Sequence, residues 1–250
     1  MPLITFTSDF GLSDHYVAKT KALVLKANPK VEIFDISHNI RPFDVSHMGY
    51  VLHSIYQDFP AGTIHLIGSA DTTFQQNEYI FAELEGHLFV GPNNGILSLI
   101  DDRQPKTVIK LNTPNGFMSV PAIAAQIAAG ENPSSFGEPL AEHKQFMQRK
   151  ARATRKEISG HVIRVDHYGN LITNIEKTDF DILSRDRKYT ITFGRERQNT
   201  VHDFISQVEP GEVFFVFNSN ERLMLGINQG NGAQLLGLEF DSPIHIAFEE

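Results

Sequence analysis

Asp9 stands where a carboxylate can do chemistry. In residues 4–16, ITFTSDFGLSDHY, Ile4, Thr5 and Phe6 favour a strand, and Thr7, Ser8 and Asp9 turn polar as that strand should end. Gly11 permits a sharp turn, and Ser13 is placed to cap a helix starting near Asp14. Ligands of parallel sheets sit at the carboxyl ends of the strands, so Asp9 would project into that crevice. A carboxylate there can accept two hydrogen bonds from a sugar diol. A carboxylate that only ties down the turn would suit the same residues. The triplet Asp9-Phe10-Gly11 also occurs in kinases, but no Gly-rich loop or catalytic-loop sequence accompanies it here.

Other chemistries are poorly supplied. The 250 residues contain no cysteine, which excludes disulfides, thiolate nucleophiles and Cys-ligated zinc together. Of the eleven histidines, His38, His65 and His87 fall at or near strand ends without a helical i, i+4 pair or a carboxylate ladder. No metal site is expected from them, and packing or capping roles suit them. The net charge of -8 leaves no basic excess to neutralise phosphates, which argues against a general nucleic-acid binder. No apolar run approaches a membrane span and no signal-peptide pattern opens the chain, so a cytoplasmic protein is expected.

Stepping along the chain shows which elements must position Asp9. Tyr16, Val17, Thr20, Leu23, Val24 and Ala27 recur at helical spacing, and Asn28 and Pro29 end that helix. Residues 31–36 read as a second strand, with Ser37, His38 and Asn39 at its carboxyl end. Pro42 and Phe43 open a helix whose inward face is Met48, Val51, Leu52 and Ile55. Residues 63–67 form a third strand. Strand, helix, strand, helix, strand is the pattern of a parallel sheet wrapped by helices. The polar segment 68–77, GSADTTFQQN, would loop over the same crevice. Residues 79–84 and 87–90 read as a hairpin, GPNNG as a tight turn into a strand at 96–100, 107–111 as a further strand, and 120–129 as an Ala-rich helix with Pro121 near its first position.

The period then changes. Residues 143–157 are basic, with Lys144, Arg149, Lys150, Arg152, Arg155 and Lys156, and read as a solvated linker. Beyond them 159–165, 171–175, 189–193, 213–218, 223–227 and 244–248 alternate as short strands. The expected architecture is an α/β domain at 1–142 with a mainly parallel sheet flanked by helices, a linker at 143–157, and a smaller all-β, barrel-like domain at 158–250.

Six motifs in order, TSDFGLSDHYVAKTKALV, FDISHNIRPFDV, PAGTIHL, GPNNGILSL, VDHYGNLITNI and FNSNERLMLGINQGN, resemble the family of S-adenosylmethionine (SAM) hydroxide adenosyltransferases, or SAM hydrolases, which also holds the chlorinases and fluorinases. The resemblance runs nearly end to end. It implies an N-terminal α/β domain and a C-terminal β-barrel domain. It also implies a homotrimer with each site between the N-terminal domain of one subunit and the C-terminal domain of the next. The implied reaction is attack on C5′ of the ribose of SAM with expulsion of methionine. SAM is then a substrate, and no cofactor is implied.

By that resemblance Asp9 matches the ribose-binding carboxylate and Phe43 an aromatic position beside the ribose. Asp166 matches the carboxylate that meets the methionine ammonium. Tyr168 is placed to cover an adenine face, and Asn170 offers the donor and acceptor an adenine edge needs. Ser219 and Asn220 match positions that hold the methionine carboxylate. Turns would also suit Gly169 with Asn170 and residues 218–220. The water-positioning set departs from the hydrolase pattern. Ala70 falls on the aspartate position with Asp71 one place on, Gln75 and Gln76 stand near the expected arginines, and Met118 sits where a histidine is expected. Asp71 and Ser119 are the remaining candidates to handle the nucleophile, with Thr73 and Phe117 beside them.

Overall fold

The computed structural model describes residues 2–69 and 78–249, and the chain divides into two compact units, Met1–Met147 and Gln148–Glu250.

The first unit is built on β1 (Leu3–Ser8), α1 (Tyr16–Ala27), β2 (Glu32–Ser37), α2 (Val45–His53), β3 (Ile64–Gly68), β4 (Tyr79–Leu84), β5 (His87–Pro92), α3 (Ile96–Ile100), β6 (Thr107–Leu111), α4 (Val120–Ala128) and β7 (Gly137–Pro139). Its sheet runs β2-β1-β3-β5-β4-β6-β7. The pairs β1/β2, β1/β3 and β3/β5 are parallel. The pairs β4/β5, β4/β6 and β6/β7 are antiparallel. The sheet is therefore mixed, which corrects the expectation of a mainly parallel one. The β4–β5 hairpin reverses the chain, and every later strand pairs antiparallel. β1, β2, β3, β5 and β6 share one polarity, with β4 and β7 opposed, so the carboxyl ends of those five strands gather at one edge.

Apolar residues cover both faces of this sheet. Ile4, Phe6 and Leu66 pack with Val24 of α1 and Val120 and Ala124 of α4. Ile67, Ile80 and Phe89 pack with Met48 and Leu52 of α2 and Ile96 and Ile100 of α3. Helices α2 and α3 approach so closely that a Cβ on Gly49 would lie 2.5 Å from Leu99 Cβ.

Three local expectations fail for identifiable reasons. Residues 96–100 form helix α3 and not a strand. Gly95 takes φ +94°, Asn94 Oδ1 accepts the Ile96 N–H, and Ser98 Oγ bonds Gly95 O, so the turn launches a helix. A short apolar run carries no period to decide between the two. Ser13 does not cap α1: the helix begins at Tyr16 after His15, without a side-chain cap. The Gly11 N–H is spent on His38 O at 2.8 Å, which keeps the chain in a turn. Helix α2 opens at Asp44, whose side chain accepts the His47 N–H, and leaves Pro42 and Phe43 outside.

The second unit holds β8 (Arg152–Ala153), β9 (Glu157–Val165), β10 (Leu171–Glu176), α5 (Lys177–Ser184), β11 (Tyr189–Phe193), β12 (Glu196–Gln198), β13 (Val213–Phe217), β14 (Arg222–Ile227), α6 (Gly232–Leu236) and β15 (Pro243–Phe248). Its antiparallel order is β12-β11-β15-β9-β10-β14-β13, with β8 on β9. The first part of β9 pairs with β15 and its last part with β10. One strand thus serves two halves, and the sheet curls as a half-barrel around Ile158, Val162, Leu171, Phe193, Phe215, Leu225 and Ile244. Among the described residues the path stays open from β12 to β13.

Between β1, β3 and β5 lies a buried histidine pair. Thr5 Oγ1 and His65 Nδ1 are 2.8 Å apart, and His65 Nε2 is 3.2 Å from His87 Nδ1. Burial, with the neighbouring His87, pushes the His65 pKa down to about 3, and burial also lowers that of His87. Both rings fold neutral. For His65 the contribution is complete above the unfolded histidine value of about 6.5 and declines as pH falls below it toward about 3, because the unfolded chain takes up the proton first. The expected decline for His65 is about 1.4 kcal/mol per pH unit across that window. Urea unfolding at several pH values should show a flatter acid slope for His65→Gln than for the native chain. Identical slopes would remove the histidine from the explanation.

Candidate site at the strand ends of the first unit and the hairpin of the second

In the first unit the site grows from the last residues of β1. Side chains alternate along a strand, and the two faces are used differently. Asp9 is buried, and its Oδ2 accepts the Phe43 N–H at 3.0 Å. Its own N–H reaches Gly68 O at the end of β3, 3.3 Å away. Phe43 takes φ +64°, a left-handed conformation that strains a residue with a bulky side chain. Its ring is more than half exposed, at 57 %. The Asp9 carboxylate does one of the two things the sequence left open. It ties a turn, and the turn it ties presents an aromatic ring beside it.

On the opposite face Phe10 packs edge-on against Phe117, ring centroids 5.5 Å apart, and Phe117 meets Tyr79 at 6.0 Å. Gly68 makes room for this wall. A Cβ there would fall 2.8 Å from Phe10 and 3.2 Å from Phe117. Two residues on from Phe117, Ser119 Oγ accepts the Asn115 N–H at 3.3 Å. Met118 is partly exposed in the same turn and offers a thioether where a proton acceptor was expected. Asp71 and Thr73 lie outside the described residues.

In the second unit Asp166, Tyr168 and Asn170 share the β9–β10 hairpin. Asp166 Oδ1 accepts the N–H groups of Tyr168 and Asn170, each at 2.9 Å, and its Oδ2 accepts Asn170 Nδ2 at 2.9 Å. Gly169 takes φ +84°, and its N–H returns to Asp166 O. The turn reading of this motif is therefore real, and Asp166 builds the turn. Tyr168 projects from it, 75 % exposed. Asn170 Oδ1 lies over Gly226 so closely that a Cβ there would be 2.5 Å away.

The hairpin rests on the segment after β14. Ala233 N–H donates to Gly169 O at 2.8 Å, and Asn231 caps α6 by accepting the Gln234 N–H. Residues 229–231 close the motif FNSNERLMLGINQGN, and no site role is expected of them from sequence. The signal was available in Gln229-Gly230-Asn231-Gly232, a polar turn ahead of a short helix. His38, Phe10 and Gly68 were likewise not singled out as site residues.

Ser219 and Asn220 occupy the β13–β14 turn, where Asn218 Oδ1 accepts the N–H groups of Asn220 and Arg222. Strand register separates this turn from the hairpin. Leu171 pairs with Leu225 and Glu176 with Arg222, so the two turns cap opposite ends of β10. By the usual strand rise that is roughly 15 Å. The structure brings Asp9, Phe43 and Phe117 to one neighbourhood and Asp166, Tyr168 and Asn170 to another, with Ser219 and Asn220 apart from the latter. Among the described residues no group of three His, Asp or Glu side chains is placed to hold a metal, and no helix is long and apolar enough to cross a membrane.

A mixed α/β unit with polar and aromatic groups at parallel strand ends, followed by a curled antiparallel unit with a polar hairpin, defines a two-domain protein with candidate binding groups in each part. The N-terminal domain model of the SAM hydroxide adenosyltransferases matches residues 4–137, and the C-terminal domain model matches residues 160–245. The chain belongs to the SAM hydroxide adenosyltransferase family. It is similar to a protein of Methanocaldococcus jannaschii named (R)-S-adenosyl-L-methionine hydrolase, 28% identical over 99% of this chain and 97% of that one. It is also similar to a fluorinase of Nocardia brasiliensis, 27% identical over 73% of this chain and 74% of the relative. Among solved structures, an uncharacterized conserved protein of Thermotoga maritima superposes with a TM-score of 0.88 at 27% identity, covering 98% of this chain and 99% of that one.

Gly169 provides a test of the hairpin. A Cβ there would meet Asn231 Oδ1 at 2.3 Å, whereas Gly211, at φ +89°, has open space. Both alanine variants carry the backbone strain of a positive φ, of order 1–3 kcal/mol. Gly169→Ala should lose more stability than Gly211→Ala in urea unfolding, the excess measuring the hairpin's seating on Asn231. Equal losses would mean that the hairpin does not depend on that contact.

Proposed function

We propose that this protein cleaves S-adenosyl-L-methionine with water, giving adenosine and L-methionine. The observation that carries the reading is the buried Asp9 carboxylate at the end of β1, bonded to the backbone of Phe43, both at positions the family motifs mark for the ribose. Relatives named (R)-S-adenosyl-L-methionine hydrolase along nearly the whole chain support it.

The chemistry asks little of the protein. Water attacks C5′ in line with the C5′–S bond, and the bonding pair leaves with sulfur as neutral methionine thioether. The sulfonium needs no acid to depart. One proton is released, and we assign its acceptance to Asp71, with the Ser119 hydroxyl orienting the water. The aromatic wall of Phe10 and Phe117 excludes bulk water beside Ser119, and we assign Thr73 to substrate binding. Asp9 accepts the ribose hydroxyls, Phe43 flanks the sugar, Tyr168 covers adenine and Asn170 reads its edge.

The register of β10 supports one assignment of the methionine end. Ammonium and carboxylate sit on one carbon, and Asp166 and Ser219 lie at opposite ends of β10. We assign the carboxylate to Ser219 and Asn220 and read Asp166, which the resemblance matched to the ammonium, as the residue that shapes the hairpin. Adenine at one end of β10 and methionine at the other suits an extended SAM. A homotrimer whose sites join one subunit's N-terminal unit to the next subunit's C-terminal unit, and a cytoplasmic location, complete the reading. SAM is the substrate, and no resident cofactor enters.

Met118 favours a second reading, a family member that binds SAM or adenosine without turnover. Losing general-base help costs about 10²–10⁴-fold.

Purified protein incubated with SAM, with and without chloride, should yield adenosine in both cases and no 5′-chloro-5′-deoxyadenosine by chromatography. Asp9→Ala should lower kcat/KM at least about tenfold, the loss expected when a charge-assisted pair of hydrogen bonds is removed. Bound SAM with no adenosine above the enzyme-free control would establish the silent binder instead.

A further inference from the structure

His38 is buried and takes no part in the reaction above, yet it holds the turn that carries Asp9 from both sides. Its Nδ1 lies 2.7 Å from Ser8 Oγ, immediately before Asp9. Its carbonyl oxygen accepts the Gly11 N–H at 2.8 Å, two residues after Asp9. Ser8 Oγ in turn accepts the Phe10 N–H at 3.4 Å. The three-residue turn 9–11 is thus bracketed by one residue, the first after the neighbouring strand β2.

The ring itself is fixed. It lies against Phe6 with centroids 4.7 Å apart. Its Nε2 is 3.1 Å from Asp35 Oδ1, a close electrostatic contact that is poorly angled for a hydrogen bond. Asp35 is paired with Lys21 of α1. Burial pushes the Asp35 carboxyl up, but Lys21 and His38 outweigh it and hold it below its ordinary value, so Asp35 stays ionised beside the ring. The register of β1 on β2 shifts between Phe6 and Thr7, so Thr7 pairs with Ser37. A bulge of this kind re-aims the side chains that follow it, and here it brings His38 under Ser8.

We propose that His38 is a positioning residue for SAM cleavage, fixing the Asp9 carboxylate toward the ribose through Ser8 and the Gly11 N–H. This rests on the reading that Asp9 grips the ribose. Asp9 hangs from the segment between two anchors, and its opposite face is held by Phe43. Loosening one anchor lets the carboxylate turn away without removing it. The interaction is made equally in ground and transition states, so its loss raises KM more than it lowers kcat.

The test compares His38→Leu, His38→Asn, Ser8→Ala, Asp9→Asn and a remote core control, Leu84→Val, by adenosine calorimetry, SAM turnover and melting temperature. Asn places its amide where Nδ1 stands and keeps a partner for Ser8. Expected are weaker adenosine binding and a higher KM, about tenfold each, for His38→Leu and Ser8→Ala. The variant carrying both Ser8→Ala and His38→Leu should be no worse than either alone, His38→Asn should recover most of the loss, and Leu84→Val should lower the melting temperature with KM unchanged. If Asp9→Asn weakens adenosine binding while Ser8→Ala and the folded His38 variants do not, the positioning role is overturned and the ribose reading stands. If Asp9→Asn binds adenosine as the native chain does, the ribose reading fails and this inference fails with it. Should His38→Leu not fold, Ser8→Ala and His38→Asn decide between these outcomes.

Discussion

Strand β1 is hydrogen-bonded on both edges to parallel neighbours, and the rest of the first unit follows from that. Parallel pairing on both sides forces the carboxyl ends of three strands to one edge, with helices on both faces. At that edge the pleat sends successive residues of one short segment to opposite faces. Asp9 goes to the α2 side and meets Phe43. Ser8 and Phe10 go to the α1 side and meet His38 and Phe117. Neither face can be rearranged alone, because the residues that serve them alternate along the same backbone. A carboxylate that must be held in a fixed direction is well placed on such a segment, more so than on a free loop.

The second unit uses a strand in a different way. β10 acts as a spacer whose two ends carry different turns. The hairpin end is organised by Asp166, which gives three hydrogen bonds' worth of acceptor capacity to its own turn. The other end is organised by Asn218 in the same manner. In both turns one acidic or amide side chain accepts the hydrogen bonds that hold the turn, and Tyr168 in one and Ser219 in the other face outward. This division lets one motif build a turn and still present other side chains from it. The residue that makes the turn and the residues that turn presents are different ones.

Much of this was legible in the sequence, and the gaps have physical causes. Polar residues at the end of an apolar strand located Asp9, and hydrophobic period located α1, α2, α4 and most strands of both units. Sheet polarity was less legible. The 79–90 hairpin was read correctly, but its consequence, that every strand after it pairs antiparallel, was not carried into the sheet. α3 was missed because five apolar residues have no period and the Gly95 turn decides. α5 and α6 were hidden among strands because each is short. At the site, residue types were readable but distances were not. Asp166 and Ser219 looked alike as polar turn residues, and only the register of β10 on β14 puts them at opposite ends. His38 looked like a packing histidine, and it is one; what it packs against became visible only when β2 was laid beside β1.

These arrangements bear on how far catalysis can survive without a full water-activating set. A sulfonium departs without protonation, so the barrier is governed by alignment of water with the C5′–S bond and by exclusion of competing solvent. On the proposed reading, the anchoring of Asp9 holds the ribose equally before and during the reaction, so it acts chiefly through substrate affinity, and Asp9 touches no reacting bond. On that reading, a thioether at Met118 in place of a proton acceptor removes help with one proton and leaves β1, Phe43 and the aromatic wall as they are. A family member of this construction loses speed before it loses the reaction. Ser119, already oriented by the Asn115 N–H, keeps a hydroxyl in the turn where that proton acceptor would have stood.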